Sequence, residues 1–146
     1  METASFIPRE TDESRRNEDL FRHRLEKAWK VEMEHLSSAY ALDWSANRDG
    51  KTVALVEMKC RTHSFGTHPT YMIGLKKWNA CRMFAASSHL PVLLGIGFTD
   101  GDYYVDTSKV KDFTVKMGGM CPHKRNWSVD REPCVYFDID YFLKVK

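Results

Sequence analysis

Apolar positions near the start of the chain recur at helical spacing. Phe21, Leu25, Ala28, Trp29 and Leu36 share a stripe with Glu18 and Glu32, the opposite side is densely charged, and the spacing predicts a helix over residues 12–37. The period then changes. Residues 39–45 read as a short strand, "NRDG" at 47–50 as a turn in which Asp49-Gly50 favours a hairpin, and residues 52–60 as the next strand. In that strand Val53 and Leu55 fall on one face, and Ala54, Val56 and Met58 on the other. Apolar residues on both faces place it centrally in a sheet. "THSFGTHPT" reads as a loop and residues 71–87 as a second helix, with Tyr71, Leu75, Trp78 and Ala85 on one stripe and Ile73, Lys77, Ala80 and Phe84 on another. Pro91 precedes an apolar strand, "VLLGIGF", which "TDGD" turns into "YYVD". Residues 108–116 add an edge strand or short helix, "KMGGMCPHKRNW" is a loop, and "CVYFDIDYFLKV" starts as a strand and ends as a short helix. This order of elements packs naturally as an α/β mixed sheet flanked by helices.

The length of 146 residues fits a single domain, with residues 1–11, polar and Pro-interrupted, loosely ordered. No run of apolar residues is long enough to span a bilayer. The first residues carry no apolar signal segment, so a cytoplasmic protein is expected. Four scattered cysteines without a CxxC pair are expected to stay reduced. Cys60-x-x-His63 and Cys121-x-His123 make a poor zinc pattern. A net charge of +2 does not by itself mark a nucleic-acid binder, although basic residues cluster at Arg15-Arg16, Arg22-His23-Arg24, Lys76-Lys77 and His123-Lys124-Arg125. Gly95-x-Gly97 sits inside a strand rather than at a strand-to-helix turn, so it is no phosphate loop. His63 and His68 fall in the loop after the central strand and read as exposed loop residues near the site described next.

The central strand, "VALVEMKCR", carries Glu57 and Lys59 two residues apart and therefore on one face. Antiparallel pairing across the preceding hairpin brings Asp43 to the Glu57 region. Two adjoining carboxylates repel, and burying them is unfavourable unless something neutralises them. A divalent cation does so: the Asp43 and Glu57 oxygens, the Met58 backbone carbonyl and waters suit Mg²⁺ or Mn²⁺. Lys59 beside such a cation can activate a water and stabilise charge on a phosphorane-like transition state, which is the chemistry of phosphodiester hydrolysis.

Asp43, a hairpin and "ALVEMKCR" resemble the D…ExK motif of the PD-(D/E)XK nuclease superfamily, which includes restriction endonucleases, Holliday junction resolvases and phage-encoded nucleases. The resemblance extends over roughly residues 14–105 in the order helix, strand, ExK strand, helix, strand. Leu42 stands where the family often has proline before the aspartate. The resemblance implies a restriction endonuclease-like fold with an αβββαβ-type core. It further implies a Mg²⁺-dependent deoxyribonuclease, with Mn²⁺ substituting, working on DNA in the cytoplasm of a bacterial host.

Many members add a glutamate from the first helix that points at the metal; Glu18 is the candidate and Glu32 its rival. Many also add a lysine from the helix after the ExK strand, here Lys77 or Lys76. Arg15, Arg22, Arg61, Lys76, Lys77 and Tyr71 are the candidate DNA contacts. A junction resolvase is the main variant. Cutting two strands symmetrically requires a homodimer, and Trp127, Tyr136, Phe137 and Phe142 are candidates for its interface or for the domain's own core. The alternative is a non-catalytic nucleic-acid-binding subunit on the same fold.

Overall fold

The computed structural model describes residues 12–118 and 131–146. The first eleven residues lie outside this range, as do Cys121, His123, Lys124, Arg125 and Trp127. The first helix, α1 (Asp12–Trp29), is shorter than its periodicity suggests. Lys30 adopts a left-handed conformation at φ 55°, and the chain then enters a strand, β1 (Glu32–His35). The alternation of buried Val31 and Met33 with exposed Glu32 and Glu34 explains the switch. Glu32, read above as a helical glutamate, is therefore an exposed edge-strand residue.

Residues 38–42 make turns and bends, and the next strand is β2 (Trp44–Arg48), not residues 39–45. A two-residue turn follows, with Asp49 at φ 53° and Gly50 at φ 75°, the paired positive values that Asp-Gly supplies to a hairpin. It leads into β3 (Lys51–Cys60). Residues 71–74, read as the start of the second helix, instead belong to a strand, β4 (Thr70–Gly74). Tyr71 and Ile73 pair there with Phe137 and Val135. Helix α2 (Leu75–Ser88) starts only after Gly74 and ends at His89, which is left-handed at φ 60°. Then come β5 (Val92–Phe98), β6 (Gly101–Asp106), β7 (Thr114–Gly118), β8 (Glu132–Asp138) and β9 (Leu143–Lys144). After β8 a single 3-10 turn, Ile139–Tyr141, supplies the short helix expected in the tail, and the two-residue strand β9 follows it.

The main sheet has six strands in the order β1-β2-β3-β5-β6-β9, and β3 and β5 are parallel while the other neighbours are antiparallel. This is the expected mixed α/β sheet, with α1, three strands, α2 and the parallel β5 in the αβββαβ order. A smaller antiparallel sheet, β4-β8-β7, stands beside it.

Two cores form on the two faces of β3. Ala54, Val56 and Met58 pack under Phe21 and Leu25 of α1. Leu55 packs with Trp78 and Cys81 of α2, with Leu94 and Ile96 of β5, and with the aromatic group Tyr71, Phe137 and Phe142. Phe137 and Phe142 are buried here, in the domain's own core. Val53, expected to follow Leu55, packs with the α1 core instead. A register shift between Ala46 and Asn47 inserts it as an extra residue. Gly95 and Gly97 leave room for α1: a Cβ on either would stand 3.4 Å from the Phe21 ring.

Candidate active site

Register decides which side chains meet. Trp44 pairs with Val56. Continuing by one residue sets Asp43, just before β2, opposite Glu57. Residues opposite one another across an antiparallel pair point to the same face, so the two carboxylates share the α2 side of the sheet. The main-chain carbonyl of Asp43 accepts from the Leu36 amide at 2.7 Å, tying this corner to the end of β1.

Glu57 is buried, with 2 % of its surface exposed. Burial pushes its carboxyl above the usual 4.5, the negative charge of Asp43 pushes it further, and the charges of Lys77 and Lys59 pull it back. Lys77 Nζ stands 3.2 Å from Glu57 Oε1 and also donates to the Ala41 carbonyl oxygen. The stem of Lys77 thus runs inward from α2 and holds the turn before Asp43 against the site. Lys59 Nζ is 4.0 Å from Glu57 Oε2, and its side chain is half exposed. Inner and outer cations therefore flank one buried carboxylate.

These residues line a cleft of about 650 Å³ that also contains Arg61, Tyr71, Lys76 and Glu132. Arg61 follows β3 directly. Its backbone amide is fixed by the Gly97 carbonyl at 2.8 Å, and its guanidinium donates to the Tyr71 hydroxyl at 3.3 Å. Tyr71 is buried in β4, and burial raises its hydroxyl pKa. It forms a wall of the cleft rather than the first turn of a helix. Lys76 is exposed on α2 at the rim.

The remaining candidates sit elsewhere. Glu18 does not line the cleft; its charge is felt by Cys60, whose thiol is raised chiefly by burial and next by Glu18. Cys60 follows the parity of Met58, so it leaves β3 on the α1 side. Arg15 pairs with Asp12 in the exposed first turn of α1. Arg22 is bound to Asp19 and Glu26 and stacks on the Trp44 ring at 5.3 Å, which makes it a brace between α1 and β2.

Glu132 is the charged cleft residue that sequence reasoning missed. It opens β8, far along the chain, and its Oε1 lies 2.7 Å from where a Cβ on Gly74 would be. Only the pairing of β4 with β8 brings it here, and no local motif announces that pairing.

Asp43 and Glu57 are hard oxygen donors whose closeness is felt in the raised Glu57 carboxyl. That donor set fits a hard divalent cation. Among the described residues no three His, Cys, Asp or Glu side chains gather into a fuller ligand set. Cys60, Cys81 and Cys134 carry free thiols. Among the described residues no helix is long and apolar enough to cross a membrane.

Comparison with curated proteins finds no match. Among solved structures, the chain is similar to that of Hjc, a Holliday junction resolvase from the archaeal hyperthermophile Archaeoglobus fulgidus. The TM-score is 0.54 and the identity 14 %, over 85 % of this chain and 95 % of that one. At that identity the likeness establishes the fold. A family model described as "Phage putative PDDEXK endonuclease" matches residues 7–145, nearly the whole chain. The chain belongs to this family of phage PD-(D/E)XK endonucleases.

Proposed function

We propose that the protein is a divalent-metal-dependent DNA endonuclease whose active site is the cleft between β3 and α2. The observation that carries this reading is the convergence of Asp43, Glu57, Lys59 and Lys77 around a buried carboxylate. A purely structural ion pair has no use for a second carboxylate beside Glu57.

Asp43 and Glu57, with the Met58 carbonyl, would hold Mg²⁺, and Mn²⁺ would replace it. When bound, such a cation offers Lewis-acid stabilisation of a phosphoryl oxygen and a more acidic water. The protein's own groups do the rest. Lys77 fixes the Glu57 carboxylate and the Ala41 carbonyl, and so holds both arms of the site in register. Lys59, half exposed at the mouth, is placed to orient the attacking water and to neutralise charge building on the phosphorane. Arg61 and Lys76 flank the cleft and contact phosphates on either side of the scissile one. The arginines of α1 contact DNA only if the duplex wraps past the helix, and the cleft reaction requires neither them nor Glu18, which lies outside the cleft.

The test is cleavage of supercoiled plasmid, single-stranded DNA and a four-way junction, each with Mg²⁺, Mn²⁺ or EDTA, by wild type and Lys59→Ala. The junction is included because the fold neighbour is a resolvase. Symmetric junction cutting also requires a dimer, which sedimentation reads directly. Cutting that needs metal and is lost in a folded Lys59→Ala variant upholds the reading. No cutting by folded wild type, with no stabilisation by Mg²⁺, replaces it with a non-catalytic binding subunit.

A further inference from the structure

Next to the cleft lies a second cavity that the reaction above does not use. Its volume is about 460 Å³, and it lies between the loop after β3 and the small sheet. Arg61, His63, His68, Tyr71, Phe98 and Tyr136 are among its lining residues, and no acidic side chain is. Arg61, Tyr71 and Met72 line both cavities, so the two adjoin.

The cavity is held open by fixed contacts. His63 stacks edge-on against His68 with ring centroids 4.9 Å apart, and stands 5.6 Å from Phe98. The His63 carbonyl accepts from the Thr99 amide at 3.1 Å, and the Phe65 amide donates to Asp100 Oδ1 at 2.9 Å. Phe65 lies flat on Tyr103 at 4.0 Å, and the Pro69 carbonyl accepts from the Ile139 amide at 2.9 Å. Both ends of the loop are therefore pinned, one to the β5–β6 hairpin and the other to the segment after β8.

An aromatic-lined hollow without carboxylates, joined through an arginine to a phosphodiester-cutting cleft, has the chemistry of a nucleotide subsite. Arginine holds the phosphate and the rings take the base. A base still paired in a duplex cannot enter such a hollow, whereas an unpaired one enters at little unstacking cost. We infer that this cavity receives an unpaired base one step along the strand from the scissile phosphate, so that the preferred DNA carries an unpaired nucleotide at the cut. This rests on the nuclease reading for where the strand lies, and deepens it by naming the substrate class.

The test separates the two ideas by measuring binding with metal withheld. End-labelled duplexes with and without one extrahelical 2-aminopurine are titrated in EDTA. Anisotropy gives affinity, and acrylamide quenching reports whether the base is shielded. Wild type is expected to bind the extrahelical DNA roughly 5- to 100-fold tighter than the paired duplex and to shield the base. His63→Ala and His68→Ala, two loop substitutions checked by melting, are expected to lose most of that preference. Equal affinity for both DNAs, or a preference that both variants keep, overturns the inference. Cleavage is then scored separately in Mg²⁺. Cutting without preference for the unpaired base discards the subsite and leaves the nuclease; preference and shielding without cutting keep the subsite and discard the nuclease.

Discussion

Replacing Glu57 by glutamine should change how stability depends on pH and metal. The Glu57 carboxyl is raised above 4.5 in the folded chain, first by burial and next by Asp43. Over the interval between the unfolded value and this raised one, the native state binds more protons than the unfolded state, so stability falls as pH rises. Below the interval both states are protonated, and above it both are ionised, so the contribution is flat at either end. The slope that one such proton can produce is at most about 1.4 kcal/mol per pH unit. For a chain of this size each kcal/mol corresponds to roughly 2–4 °C in Tm. Glutamine keeps the shape of glutamate and an oxygen for Lys77 but has no charge to lose. Against wild type, the Glu57→Gln variant should therefore gain Tm from pH about 4.5 up to the raised value of the Glu57 carboxyl, and the gap should stay level above it. Mg²⁺ should reverse the ranking at neutral pH. A cation at ten times its Kd stabilises the native state by about 1.4 kcal/mol, and the variant, lacking one carboxylate, should gain little. Cleavage should fall at least about 100-fold, since even an indirect disturbance of a metal ligand has effects approaching that size. The assay is thermal melting of both proteins across pH 4 to 9, with EDTA or Mg²⁺, beside plasmid cleavage. Parallel pH profiles, together with equal Mg²⁺ stabilisation of both proteins, would refute the assignment of Glu57 as a buried, metal-facing carboxylate.

Lys59→Ala should lower cleavage by about 10²- to 10³-fold while changing stability by no more than about 1 kcal/mol, because its ammonium is half exposed and 4.0 Å from Glu57; urea titration beside single-turnover cleavage checks both. Lys77→Met should lower both cleavage and stability, losing about 1–3 kcal/mol in urea unfolding because Glu57 stays buried without its inner partner and the Ala41 carbonyl loses a donor. Gly97→Val should cost about 1–3 kcal/mol, since even its Cβ would stand 3.4 Å from the Phe21 ring and the added methyls lie closer; the fall in Tm measures it, and an unchanged Tm would show that α1 can shift. Arg61→Ala should weaken DNA binding in EDTA and make the dependence of log Kd on log salt shallower by about one unit, because it removes one phosphate contact.

Much of the main sheet was legible because its signals are local. Asp49-Gly50 announces the β2–β3 hairpin, the doubly apolar "VALV" announces a central strand, and "TDGD" announces the β5–β6 turn. The misreadings come from short segments whose partners are distant. Tyr71 and Ile73 fit a helical stripe as well as a strand, and five residues are too few for periodicity to decide. Pairing with β8, more than sixty residues later, decides it. Gly74 was the one local sign that the helix starts after it. The alternation Val31, Met33 was likewise visible, but four residues of strand directly after a strong helix read as its continuation.

The pairing of Asp43 with Glu57 depends on a feature no spacing rule contains. From the turn, Arg48 faces Lys51 and Asn47 faces Thr52. Continued without interruption, that register would set Asp43 opposite Val56, whose side chain is buried on the α1 side. The two carboxylates would then lie on opposite faces of the sheet. The register shift between Ala46 and Asn47 moves the pairing by one residue, and one residue is enough to change the face. Val53, the extra residue, takes up the shift by turning into the α1 core. The bulge is therefore part of the site: it converts a hairpin that would separate the acids into one that brings them together beside Lys59 and Lys77. Sequence spacing between Asp43 and Glu57 identifies the motif but cannot supply this geometry, because spacing counts residues while the face depends on where a bulge falls.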